Sequence, residues 1–252
     1  MINFLRKLRR NNLQSSKYLK YALGEIFLVV IGILIALSIN NWNETRKNHK
    51  QETILLENLI KQLKTDVTDL NNNINSTETS LLRIDSTLSM LIEPDKINKL
   101  EFISRSRDFA FDSYFFCNCS IFDEAVSSGK MSLIQNSELR ETIFTYYTKS
   151  KENSNDGSIK KITEDIITPI LFRTIYVNKT GLRYLKEDTE EMDLSHDIPD
   201  IDFKSIRSDV QFWEMAFAKK AGNVVQINSW KSMKTNAQDL IEAIALELEE
   251  LQ

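Results

Sequence analysis

Residues 56–91 read LENLIKQLKTDVTDLNNNINSTETSLLRIDSTLSML, and their periodicity decides the fold. Steps of four and three residues, in strict alternation, return to one face of an α-helix. The positions on this face are apolar with one exception, Thr77, and the stretch is therefore predicted to be a long helix with one buried face. We call this set of positions the seam: Leu56, Ile60, Leu63, Val67, Leu70, Ile74, Thr77, Leu81, Ile84, Leu88 and Leu91.

The limits of this helix follow from proline and glycine. Neither residue occurs between Asn43 and Pro94, so a helix of about 50 residues, roughly 75 Å long, is predicted to end at Pro94. The Asn-rich run 71–75 is weakly helical and predicts a bend. The sequence leaves two alternatives for what packs against the seam. Its β-branched and leucine positions favour a parallel coiled-coil dimer, whereas its uncharged flanks favour a helix of a bundle.

The whole chain is predicted to be all-α, because it contains only 6 glycines and 3 prolines and turn-rich sheets need both. A second long helix is predicted from Asp209 to the C-terminus, about 60 Å in length. We expect the two long helices to pack antiparallel as a stalk, with short helices forming a distal head and the C-terminus returning towards the bilayer.

Residues 21–42 form the most apolar segment of the chain, with Glu25 as the single charged residue. Their helical length of roughly 33 Å suffices for a hydrocarbon core. Tyr18, Tyr21 and Trp42 stand at its edges, where interfacial aromatic residues belong. The alternative is a secretory signal cleaved after Ser38, but the apolar span is longer than such signals have. The sequence therefore favours a retained transmembrane helix, which we expect to continue directly into the long helix that ends at Pro94.

The distribution of charge predicts the orientation of this helix. Residues 1–20 contain six basic and no acidic residues, whereas Arg46, Lys47 and Lys50 follow the span. The more basic flank stays inside, so we expect a cytoplasmic tail (1–20), a single span (21–42) and an extracytoplasmic domain (43–252). This domain is acidic and would repel phosphates, which argues against nucleic acid as a partner.

One face of the span carries Glu25, Gly32, Ala36 and Asn40. Gly32 and Ala36 are a pair of small residues that lets helix backbones approach closely. Glu25 either reaches towards the headgroups alone or is shielded by a second helix on this face. The predicted partners are the lipid bilayer, other envelope proteins, and a second copy of the chain through the transmembrane and long helices.

Two motifs resemble a known family. Residues 21–44, YALGEIFLVVIGILIALSINNWNE, followed by Arg46 and Lys47, resemble the N-terminal signature of an uncharacterised DUF-type family of single-pass membrane proteins, mainly from Bacteroidota. Residues 122–147, FDEAVSSGKMSLIQNSELRETIFTYY, resemble its central pattern. The resemblance implies a bacterial inner-membrane protein whose residues 43–252 form a helical periplasmic domain, and it carries no activity, cofactor or catalytic residue.

The sequence predicts no catalytic, metal or cofactor residues. His49 and His196 lack a second ligand at metal-binding spacing. Cys117 and Cys119 are expected to be separate, partly buried thiols, because a disulfide between them closes a very tight ring; redox and metal roles are the alternatives. The acidic connector 186–204 is expected to be a solvated loop, with calcium binding as the alternative.

The run FAFDSYFFCNCSIF at 109–122 is dense in aromatic residues. These side chains form either a hub where the short helices meet or the lining of a ligand or partner pocket. The leading hypothesis for function is a non-enzymatic, membrane-anchored interaction or scaffold module. The alternatives are a small-ligand sensor domain, an accessory subunit of an envelope complex, and an enzyme of unrecognised type. The candidate residues of the run are Phe109, Phe111, Tyr114, Phe115, Phe116 and Phe122.

Overall fold

A computed structural model of the chain describes residues 2–93, 97–154, 158–187 and 198–251, without the side chains of residues 2–20, 154, 158 and 185–187. The basic side chains of the tail and most of the acidic connector, including His196, lie outside the described residues. The described parts contain helices and no strand, which confirms the all-α prediction. The helices are α1 (Ile2–Met90), α2 (Lys99–Ala110), α3 (Ser120–Ser127), α4 (Ser137–Ser154), α5 (Ser158–Ile162), α6 (Thr168–Leu171), α7 (Lys179–Glu187), α8 (Phe203–Ser208) and α9 (Val210–Glu250).

The chain divides into two compact units, Met1–Ile54 and Leu55–Gln252. The first unit contains the apolar segment of α1, whose best window has a mean hydropathy of 2.6 and no buried residue. Phe27 and Leu28, for example, are exposed. This unit therefore contains a helix that is long and apolar enough to cross a membrane.

Helix α1 is continuous through the Asn-rich run 71–75 and ends at Met90, so this run does not interrupt the helix. Leu70 and Ile74, on either side of the first asparagines, are buried in a cluster with Trp230. Tertiary packing of this kind outweighs the weak helix propensity of asparagine.

The core of the second unit consists of three clusters between antiparallel α1 and α9. The near cluster joins Leu56 and Leu63 of α1 to α9 residues around Leu240. The middle cluster joins Leu70 to α9 residues around Trp230, and the far cluster joins Ile84 to those around Met215. Residue numbers rise along α1 while they fall along α9, which confirms the predicted antiparallel pairing and shows that the seam packs against the chain's own C-terminal helix.

The short helices divide between the two ends of this unit. The far cluster takes in residues of α2, α6, α8 and the segment around Ile175, and this group corresponds to the predicted head. A second group, α3 and α4, packs on the near cluster. Between the groups, residues 111–119 have no helical structure and connect α2 to α3. We call residues 111–119 the strap.

Two glycines mark changes of chain direction. Gly129 has a φ of 74° two residues after the end of α3, in the left-handed conformation that commonly follows a helix. Gly181 lies in the first turn of α7. A Cβ atom there would approach the carbonyl oxygen of Ile175 to 2.6 Å, so close backbone contact explains this glycine.

Candidate functional sites

The predicted interface residues of the candidate membrane span are exposed in the first unit. Glu25, Gly32, Ala36 and Asn40 are exposed along one side of α1. A Cβ atom added at Gly32 would have no described atom within 4 Å. The backbone on this face is therefore accessible to a neighbouring helix, and the helix–helix interface stays a prediction.

The six aromatic candidates do not come together in one hub or pocket. Phe109, Phe115 and Phe122 are buried in the far, middle and near clusters, respectively. The other three are exposed. Tyr114 and Phe116 flank the buried Phe115, as expected where successive side chains alternate between two sides of the backbone, and Phe111 is the first residue of the strap. The aromatic run 109–122 thus extends along the bundle and contributes one ring to each cluster. The exposed members are Phe111, Tyr114 and Phe116.

The start of the strap is held by a buried ion pair. Asp112 pairs with Lys219 of α9, and their side chains are 2% and 1% exposed. Lys219 also donates a hydrogen bond to the carbonyl oxygen of Phe111 at 3.0 Å. Gln226, two turns further along α9, donates to the carbonyl oxygen of Ser113 at 3.0 Å. These bonds fix the backbone of the strap to α9.

The end of the strap is held by the buried carboxylate of Asp66, which forms no ion pair with the residues that the structure describes. Asp66 of α1 is 0% exposed. It accepts hydrogen bonds from the backbone N–H of Asn118 at 2.9 Å and from the hydroxyl of Tyr146 at 3.0 Å. Burial raises the pKa of Asp66 to about 6, and the hydrogen bonds from Asn118 and Tyr146 oppose this shift.

Two adjacent tyrosines of α4 differ in their hydrogen bonding. Tyr146 donates to Asp66, whereas the buried hydroxyl of Tyr147 has no hydrogen-bond partner in the described part of the chain. The ring of Tyr147 stacks on Phe122 with 4.6 Å between centroids. Burial is the main cause that raises the pKa of both tyrosines above 10.

The two cysteines of the strap are bonded to each other, which corrects the expectation of separate thiols. The non-helical backbone of the strap holds their Cα atoms 5.5 Å apart, a separation that disulfides commonly have. Cys119 is buried in the near cluster, and Cys117 packs against the near and middle clusters. The pair therefore lies where the strap passes from one cluster to the next.

Metal chemistry has no assembled site in the parts that the structure describes, since no group of three or more His, Cys, Asp or Glu residues there could hold an ion. In the first unit, His49 lies 3.6 Å from Glu52.

Sequence reasoning missed the buried polar residues Asp66, Tyr147 and Lys219. One signal was present for Lys219, which shares a helical face with the apolar residues Phe212 and Met215 of α9. Asp66 carries the same signal, because it lies three residues after Leu63 and four before Leu70 on one face of α1.

Comparison with known proteins identifies a family. No curated protein and no solved structure matches the chain. A family model does match residues 25–156, which is more than half of the chain and includes most of the apolar segment, the strap and α3. The chain therefore belongs to DUF6090, a family of unknown function.

Proposed function

We propose that this protein is a single-pass inner-membrane protein whose second unit acts as a non-enzymatic interaction or scaffold module in the periplasm. The observation that carries the proposal is the unburied apolar segment of α1, with its mean hydropathy of 2.6. Exposed apolar area in water is unfavourable by about 25 cal/mol per Å². A bilayer removes this penalty for a helix of this length.

The basic residues before the span support an N-terminus in the cytoplasm. Alkaline phosphatase fused after Gln252 tests this orientation, because the enzyme folds only outside the cytoplasm. We expect an active fusion that remains in the membrane fraction with its full mass. As a matched control, Arg6, Arg9 and Arg10 are changed to glutamate, which should lower phosphatase activity by inverting part of the population. An inactive wild-type fusion would contradict the orientation, and loss of mass corresponding to residues 1–38 would show cleavage of the anchor.

Large apolar side chains on the second unit support the interaction role. Phe217 of α9 and Phe116 of the strap are 75% and 70% exposed, and aromatic residues are enriched in protein interfaces. The proposed partners are other envelope proteins.

A photo-reactive residue in place of Phe217, in the full chain in its native membrane, tests this role. We expect a discrete adduct with an envelope protein, and a weaker one from Gln238, an exposed polar position of the same helix. Equal labelling from both positions, or a strict monomer without adducts, would contradict an interaction module.

A further inference from the structure

A polar cavity of about 470 Å³ lies in the second unit, where α1 and α9 meet the end of α2 and the start of the strap. Its volume is within the range of small-ligand sites, roughly 300–1,000 Å³. The side chains that matter for recognition are Thr77, Ser80, Arg83, Asp108, Asp112 and Asn223.

Thr77 is the polar exception in the seam, and it faces this cavity. The residue is 4% exposed, and its hydroxyl has no hydrogen-bond partner among the described residues. A buried hydroxyl without a partner is unfavourable, because it gives up hydrogen bonds to water and gains none. A bound polar group would supply the missing bond.

The cavity also carries an accessible pair of opposite charges. Arg83 and Asp108 lie 3.9 Å apart, and their side chains are 60% and 18% exposed. This separation is longer than a hydrogen bond, so both groups retain capacity for another partner. Burial raises the pKa of Asp108, while Arg83 and a hydrogen bond from Ser80 oppose the shift. The contacts of Asp108 with Arg83 and Ser80 thus offset only part of the cost of burying its negative charge.

The third charged side chain of the lining, Asp112, already has an ion-pair partner, the buried ammonium of Lys219. The cavity therefore offers one cation and one anion to a ligand, together with neutral hydroxyl and amide groups. A simple anion would face Asp108 unfavourably and a simple cation would face Arg83, so the charges favour a ligand that carries both signs.

We propose that this cavity binds a small zwitterion of the α-amino-acid type. The ligand carboxylate contacts Arg83, whose planar guanidinium can donate two parallel hydrogen bonds to it. The ligand ammonium contacts Asp108, and a polar atom of the ligand bonds to the hydroxyl of Thr77. The ammonium and the carboxylate of an α-amino acid are attached to the same carbon atom, so it can contact two protein groups that lie this close together.

Thermal unfolding and titration calorimetry of the full chain in detergent test the proposal. The probes are a mixture of the proteinogenic α-amino acids, then each one alone. We expect at least one to raise the Tm saturably. The same compound without its carboxylate, or without its ammonium, should bind at least about tenfold more weakly, a difference of roughly 1.4 kcal/mol. Arg83→Gln and Asp108→Asn should each weaken binding to a similar degree. No binding by any amino acid, or equal binding by glycerol or glucose, would overturn the proposal.

Two buried threonines of α1 provide a matched pair. Thr87 is also buried, but its hydroxyl donates to the carbonyl oxygen of Arg83 at 2.8 Å. We expect Thr77→Val to raise the Tm of the free protein and to weaken binding about tenfold. Thr87→Val should not raise the Tm and should leave affinity within about twofold. Equal loss of affinity in both variants, or a lower Tm in Thr77→Val, would contradict a ligand-directed role for Thr77.

Discussion

The two ends of the strap are fastened to the bundle by buried carboxylates in different ways. At one end, Asp112 faces the ammonium of Lys219. At the other end, Asp66 accepts hydrogen bonds from two neutral donors, Asn118 and Tyr146. Asp112 has a buried counter-charge in Lys219, whereas burial raises the pKa of Asp66 to about 6. Two equally buried carboxylates therefore stabilise the strap in different ways. The attachment at Asp112 depends on the ammonium of Lys219, whereas the stabilisation from Asp66 depends on pH.

The largest effect is expected from breaking the ion pair with Lys219→Met. This variant leaves the carboxylate of Asp112 buried without its counter-charge, which typically costs about 3–5 kcal/mol. Urea unfolding of the full chain in detergent, followed by far-UV circular dichroism, measures the loss. The double variant with Asp112→Leu should recover much of it, because both charges are then removed. A single variant as stable as the wild type would show that the pair is not desolvated.

The next effect comes from removing the titrating group with Asp66→Asn. The folded-state pKa lies above the ordinary value of 3.8, so the folded protein binds this proton more tightly than the unfolded chain. The stabilisation from Asp66 is therefore full below about pH 4 and is lost as the pH rises through about 6. Between about pH 4 and 7, the stability of the wild type relative to the variant should fall by about 3 kcal/mol at most. Parallel pH profiles of the two proteins, measured by urea unfolding, would contradict the raised pKa.

Smaller changes in stability, of opposite sign, are expected from removing the hydroxyls of the two adjacent tyrosines near Asp66. Tyr147→Phe removes a buried hydroxyl that lacks a partner and should stabilise the protein by about 1 kcal/mol. Tyr146→Phe removes a donor to Asp66 and should destabilise it by about 1–3 kcal/mol. Thermal unfolding of both variants gives the signs. Effects of the same sign would show that the two hydroxyls share one environment.

The smallest effect is expected beside the ion pair, in Lys220→Met. Lys220 follows Lys219 in sequence but pairs with Asp85 at the surface, where both side chains are 39% and 52% exposed. Exposed ion pairs contribute about 0–1 kcal/mol, so urea unfolding should barely change. A loss as large as that of Lys219→Met would show that burial does not distinguish the two lysines.

The helices were predictable from local patterns, and the fastening of the strap was not. The spacing of Leu56 to Leu91 predicts a buried helical face whatever its partner, and Gly129 marks a helix end by its conformational freedom alone. Lys219 acquires its role from Asp112, which lies on a different element far away in sequence. Such pairing depends on how the chain packs, and a single sequence does not contain the distance between the two.

The same limit applies to the candidate sites. The open face around Gly32 could be predicted from spacing, because all its residues belong to one helix. The aromatic run could not, since its rings enter three clusters formed by residues from distant parts of the chain. Thr77 was visible as an exception in the seam, but its meaning required the cavity beside it.

The antiparallel pairing of α1 with α9 has a consequence for biosynthesis. Each of the three clusters contains residues of α9, which is synthesised after all the other described helices. The apolar seam of α1 therefore leaves the ribosome long before its partner exists. Long-range pairing of this kind slows folding and leaves apolar surface exposed meanwhile. We expect the nascent chain to need protection by chaperones until α9 has been completed.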